Sequence, residues 1–171
     1  DWQPNFNELE QMDLSGGKKM WINYPNMPTG ASATIELYKR IVDFGRRHNI
    51  LIVNDNPYSF ILHEKPISLM AVEGAKDIAI ELNSMSKAHN MAGWRFGVAV
   101  SNAEVISTIL RVKSNMDSGV FKPMQLAAVE ALKLGQEWFD EVNAEYRRRQ
   151  VVAFEIMDVL GCKYNKKQGG L

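Results

Sequence analysis

Cysteine is nearly absent: the chain has one, Cys162, in 171 residues. An internal disulfide is therefore excluded, and the composition fits a reducing compartment, with the cytoplasm as the expectation. Net charge is absent as well. Lys plus Arg and Asp plus Glu both number 20, so the charge balance points to no nucleic acid or other polyanion. The one basic run, Arg147-Arg148-Arg149, reads as a solvated helix face. No stretch approaches the roughly 18 consecutive apolar residues of a membrane span, so no membrane is expected. The three histidines, His48, His63 and His89, are scattered and lack the clustering of a metal site, so no metal is expected. There is no internal repeat and no low-complexity tract. Residue 1 is Asp, and "DWQPNFNELEQMDLSGGKKM" reads as the interior of something longer, so we expect a piece of a larger protein.

What is present is an alternation of short apolar runs and helical periods. The first twenty residues are polar and predict irregular chain with one helical turn. "KKMWINYP" is a short apolar run stopped by Pro25, a strand candidate, and "NMPTGAS" is turn chemistry. From Thr34 to His48, Leu37, Tyr38, Ile41 and Phe44 recur at helical spacing behind a Thr34 N-cap. "ILIVND" is a β-branched run of the kind covered on both faces. "DIAIELNSMS" and "RFGVAVS" predict two further strands. Residues 102–116 predict a helix with Val105, Ile106, Ile109 and Leu110 on one face. Pro123 suits a first helical turn, and a long helical stretch interrupted near Gly135 runs to Leu160, with Gly161 at the C′ position. This order predicts an α/β fold, three-layer α/β/α, with a mostly parallel sheet. Ligands of such sheets gather beyond the carboxyl ends of strands, where Asn26, Met27, Asp55 and residues 84–87 fall.

The segment "NSMSKAHNMAGWRFG", residues 83–97, concentrates the chemistry. Lys87 follows two serines at a strand end, and a surface lysine needs no such frame. Ser84, Ser86 and the turn amides offer short donors to a phosphate, and Arg95 adds a charged fork. A phosphate site beside a lysine suggests a cofactor carrying a phosphate and an aldehyde, which is pyridoxal 5′-phosphate linked as a Schiff base. Asp55 closes "ILIVND". It is either a turn former or the anion that keeps a pyridine nitrogen protonated. Tyr58 is either a packed loop aromatic or a hydrogen-bond partner of the ring's phenolic oxygen.

Three motifs, "NYPNMPTG", "DNPY" and "SMSKAHNMAGWRFG", stand in order over residues 23–97, and together they resemble the class I/II aminotransferases of pyridoxal-phosphate fold type I. The resemblance implies Lys87 as the Schiff-base lysine and Asp55 as partner of the pyridine nitrogen. It implies Tyr58 on the ring oxygen, Ser84 and Arg95 on the phosphate, and Ser86 beside them. It implies amino-group exchange between an amino acid and a 2-oxo acid, in a homodimer. Residues 1–160 would form part of the large, cofactor-binding domain, and 161–171 the start of the connection to a C-terminal small domain. That small domain would carry the arginine for the substrate carboxylate, so the chain alone is expected not to be a competent transaminase. The "NMAGWRFG" turn leans toward the branch with aspartate and diaminopimelate aminotransferases.

One position departs from the family pattern. The residue before Pro-Thr-Gly is usually an asparagine that bonds the ring oxygen, and here it is Met27, whose thioether is a poor acceptor. Other readings remain open. Fold type I synthases and β-lyases share these motifs, and a non-catalytic binding module could keep the fold. "SMSK" matches the S-x-x-K of serine acyl enzymes but lacks the S-D-N and K-T-G companions. "SGGKK" lacks the upstream glycine of a phosphate loop.

Overall fold

A computed structural model describes residues 2–63 and 65–166. Of the expected connection 161–171, residues 167–171 thus lie outside the described residues. A short helix α1 (Phe6–Leu9) opens the chain. It is followed by β1 (Lys19–Asn23), α2 (Ile35–His48), β2 (Leu51–Asn56), the one-turn helix α3 (Ala75–Ile78), β3 (Ala79–Ser84) and β4 (Gly97–Val100). Three longer helices complete it: α4 (Ala103–Met116), α5 (Lys122–Ala131) and α6 (Gln136–Val159).

Helix α2 forms where the spacing predicts it. The Thr34 hydroxyl accepts the Leu37 N–H at 3.1 Å, satisfying one of the free amides of the first turn. At the other end Asn49 adopts the left-handed region and returns its N–H to the last carbonyls. The apolar stripe Leu37, Tyr38, Ile41, Val42 and Phe44 is buried against Ile22 and Ile52 of the sheet, with Leu69, Val72 and Ala79 beside them. Gly45 lets the helix approach closely, since a Cβ there would stand 2.9 Å from the Ile50 carbonyl oxygen and from side chains of Ile52 and Ile78.

The sheet order is β1-β2-β3-β4, with the first two pairings parallel and the last antiparallel. This agrees with a mostly parallel sheet. The connection from β3 to β4 contains one 3₁₀ turn (Ala92–Trp94) and no crossover helix, so β4 has to return antiparallel. The start of "DIAIELNSMS" differs from expectation: Asp77 and Ile78 belong to α3, which Gly74 begins at a φ of 74°.

The apolar face of α4 is not a core face among the described residues. The helix has no buried residue, and Leu110 is 62 % exposed. Val105, Ile106 and Ile109 are only partly covered, because periodicity marks which side of a helix is apolar while full burial requires a closely packed second layer. A smaller cluster, Met85, Met91 and Ala128, packs α5 against the segment between β3 and β4. On α6 the basic run is solvated as expected, with Arg148 and Arg149 both paired to Glu145. No helix among the described residues is long and apolar enough to cross a membrane.

Candidate active site

The register assembles the carboxyl edge of the sheet. Asn23 stands beside Asp55, and Asp55 beside Leu82, while Ser84 pairs with Gly97 across the antiparallel seam. Along β2 the side chains alternate. Asn54 turns to the α2 side, where its amide donates to the Tyr38 hydroxyl at 3.2 Å and to Glu81 at 3.3 Å. Asp55 therefore faces the opposite side of the sheet. It is half-buried, and burial alone pushes its carboxyl above the usual carboxylate range. Among the described residues no hydrogen bond or ion pair reaches that carboxylate, so it stands ready for a cationic or donor group.

The main chain at Asp55 is held by Asn23, which sequence reasoning overlooked inside a motif it had singled out. The Asn23 amide donates to the Asp55 carbonyl at 2.6 Å, and its oxygen accepts the Met27 N–H at 2.8 Å. One side chain thus ties the strand end to the "NMPTG" turn. Asn26 is occupied within that turn, taking the Thr29 hydroxyl at 2.6 Å. Met27 has its side chain exposed.

Two of the expected residues meet across the loops that follow β2 and β3. The Lys87 ammonium lies 5.8 Å from the centre of the Tyr58 ring, within reach of a cation–π attraction, and both side chains are half-buried. Ser84 and Ser86 share a turn: the Ser86 N–H donates to the Ser84 oxygen at 3.1 Å, which leaves the Ser84 hydroxyl proton available to a ligand. Arg95 is not drawn in. Its guanidinium folds back on the Ala92 carbonyl at 3.0 Å and is exposed, and its backbone sits in the left-handed region at a φ of 52°. Of the two glycines framing that arginine, only Gly97 is required sterically. A Cβ at Gly97 would lie 2.8 Å from the Asn83 carbonyl oxygen, whereas one at Gly93 would meet open space.

Behind this edge, on the Asn54 side, lies a cavity of about 410 Å³ walled by Asn56, Phe60, Glu81, Asn83, Met85 and His89 among others. Asp55, Tyr58 and Lys87 do not line it, but Ser84 does, so the cavity reaches the edge of the candidate site. Glu81 is 3 % exposed there and is satisfied by four donors: the Leu69 N–H at 2.7 Å, Ser68 at 2.9 Å, Asn83 at 3.2 Å and Asn54 at 3.3 Å. This network, too, was invisible in an apolar strand pattern.

With the geometry in hand, comparison with known proteins decides the family. The sequence profile described as aminotransferase class I and II matches residues 1–171. The chain belongs to this family. The family depends on pyridoxal phosphate. The chain is 42% identical over 162 residues to an LL-diaminopimelate aminotransferase of Aquifex aeolicus, covering 94% of this chain and 42% of that protein. It is 44% identical over 160 residues to LL-diaminopimelate aminotransferase 2 of Trichormus variabilis, covering 92% of this chain and 41% of that protein. Among solved structures, apo BacF from Bacillus subtilis superposes with a TM-score of 0.92 at 33% identity, covering 99% of this chain and 44% of that one. The aspartate aminotransferase of Thermotoga maritima superposes at 0.87 with 27% identity, over 98% and 44% of the respective chains. The chain therefore spans about two fifths of the length of the curated relatives it matches.

Proposed function

We propose that these residues form the cofactor-binding part of a pyridoxal-phosphate-dependent aminotransferase, one that moves an amino group from an amino acid to a 2-oxo acid. The observation that carries this reading is the approach of the Lys87 amine to the Tyr58 ring, 5.8 Å from its centre, with the unpartnered Asp55 carboxylate on the adjoining strand at the same sheet edge. The names of the relatives add a substrate class: a diaminopimelate-like amino acid with a second charged end. Residues 1–160 belong to the large domain in this proposal and 161–171 begin the connection to a small domain. A homodimer in the cytoplasm is part of it.

The donor set suits the cofactor. Pyridoxal phosphate supplies an electron sink that makes the substrate α-proton acidic. Lys87 supplies a primary amine on a flexible stem, able to hold the cofactor and then to carry a proton at its Nζ. Asp55 supplies a carboxylate whose pKa burial alone raises above the usual carboxylate range. A ring cation against it would favour the charged form, and the two charges would stabilise each other. Tyr58 supplies a phenol beside the amine, and Ser84 a hydroxyl proton for the phosphate. Arg95 would have to leave the Ala92 carbonyl to join Ser84, at a small cost for an exposed side chain. Met27 cannot replace a polar group on the ring oxygen, which leaves that role to Tyr58.

Borohydride reduction of the full-length holoprotein, followed by peptide mapping, tests the reading. The pyridoxyl label is expected on Lys87, and a label on any other lysine would sink it. Turnover with diaminopimelate, aspartate and alanine as donors then decides the substrate class. Faster turnover with aspartate or alanine would overturn the diaminopimelate assignment.

A further inference from the structure

Helix α6 is solvent-exposed along most of its length, yet it buries one polar residue. Asn143 is 5 % exposed. Its side-chain oxygen accepts the Leu62 N–H at 2.6 Å, and its amide donates to the Phe60 carbonyl at 2.9 Å. Both polar ends are thereby used on the main chain of the loop that carries Tyr58. Leu62 itself sits at a φ of 57°, a left-handed conformation that is unfavourable for a leucine. The Asn143 bond helps to hold it there.

The same helix holds the other loop. The Trp138 indole N–H donates at 2.8 Å to the carbonyl of Ala88, the residue after Lys87. Between these two attachments the Phe139 ring touches both loops at once. It stacks on Phe60 at 4.9 Å between ring centres and meets His89 edge-on at 5.6 Å. Three neighbouring residues of one rigid helix thus grip the segment after β2 and the segment after β3. Tyr58 and Lys87 belong to those two segments. Their side chains meet only because the loops do.

We propose that α6 is a clasp that sets the separation of Lys87 and Tyr58, with Trp138, Phe139 and Asn143 as positioning residues. The proposal rests on the reading of Lys87 as the cofactor lysine and Tyr58 as its neighbour. None of the three reaches the reacting atoms; each acts through a loop backbone. If either grip is released, one loop shifts against the other while both functional side chains remain intact. Displacements of about 1 Å can cost roughly a hundredfold in rate.

The test uses the full-length holoprotein and the visible absorbance of the cofactor linked to Lys87, titrated against pH. Trp138→Phe removes the N–H donor and keeps a smaller aromatic ring; Asn143→Ala releases the Tyr58 loop. Each is expected to move the titration midpoint by about 0.5 unit or more, because the charged linkage and the Tyr58 phenol no longer face each other as before. In a Tyr58→Phe background either shift should shrink to about 0.2 unit or less, since the grip then has no hydroxyl to position. A merely structural role lowers the melting temperature and leaves the midpoint where it was, and that result overturns the clasp. An equal shift with and without the Tyr58 hydroxyl overturns it too. Should Asn143→Ala fail to fold, Trp138→Phe carries the same comparison alone. Borohydride labelling keeps the two levels apart. A label on Lys87 with an unmoved midpoint removes the clasp only, whereas a label on another lysine removes the site reading and the clasp together.

Discussion

Glu81→Gln is the sharpest perturbation of the framework beneath the site. Glu81 is a buried carboxylate on β3, and each of its oxygens takes two donors. One oxygen accepts the Leu69 N–H at 2.7 Å and the Asn54 amide at 3.3 Å. The other accepts Ser68 at 2.9 Å and Asn83 at 3.2 Å. A glutamine of the same shape can serve only one of these pairs as an acceptor. Its best placement keeps the oxygen toward Leu69, whose N–H cannot move, and turns the NH₂ toward Ser68 and Asn83. The Asn83 amide then meets another donor. The Ser68 oxygen already accepts the Met70 N–H at 3.1 Å, so its hydroxyl proton loses its partner. Hydrogen bonds to a charged acceptor contribute about 1.5–3 kcal/mol each, and relief from burying a charge offsets part of the loss. The net cost is about 1–3 kcal/mol, or roughly 3–10 °C in melting temperature for a protein of this size. Glu81→Ala strands donors on both sides and should cost about 3–5 kcal/mol. Urea denaturation of both variants, with the slope monitored for two-state behaviour, measures the difference. A glutamine variant within about 0.5 kcal/mol of the parent would refute the argument that the carboxylate is held for its four acceptor positions.

Other expected outcomes are equally direct. Asp55→Asn in the full-length enzyme should retain the cofactor yet lose turnover by on the order of a hundredfold or more, because the ring loses its anionic partner; turnover within about threefold would exclude that role. Gly97→Ala should destabilise the protein by about 1–3 kcal/mol, because its Cβ would press on the Asn83 carbonyl at 2.8 Å, while Gly93→Ala should be nearly silent. Thermal melts that rank the two glycines the other way would contradict the close approach of β3 and β4. Burial holds both His63 and His89 below the usual 6.5. The unfolded chain therefore takes up protons that the folded one refuses, and stability should erode as pH falls from about 6.5 toward their lowered values. A His63→Asn, His89→Asn variant should flatten that part of the pH profile in denaturant midpoints, and an unchanged slope would point elsewhere.

The sequence alone determined where most elements lie and which residues to propose for the site. The spacing of Leu37, Tyr38, Ile41 and Phe44 behind Thr34 predicts α2, and "ILIVND" predicts β2, because each signal is carried by residues within one or two turns of each other. Lys87, Asp55, Tyr58 and Ser84 could be named for the same reason, since they sit in short motifs at strand ends. What only the tertiary structure decided is which groups meet across long stretches of chain. Asn23 finds the Asp55 carbonyl 32 residues away, Asn54 finds Glu81 at 27, and Asn143 finds Phe60 at 83. Those pairings depend on strand register and on where a helix lies over two loops, and neither leaves a period in the sequence. For the same reason α4 has an apolar face with no fully buried residue, and Arg95, so prominent in its motif, turns to its own Ala92 carbonyl. A local pattern states what a side chain is suited to touch, and register and packing decide what stands within its reach.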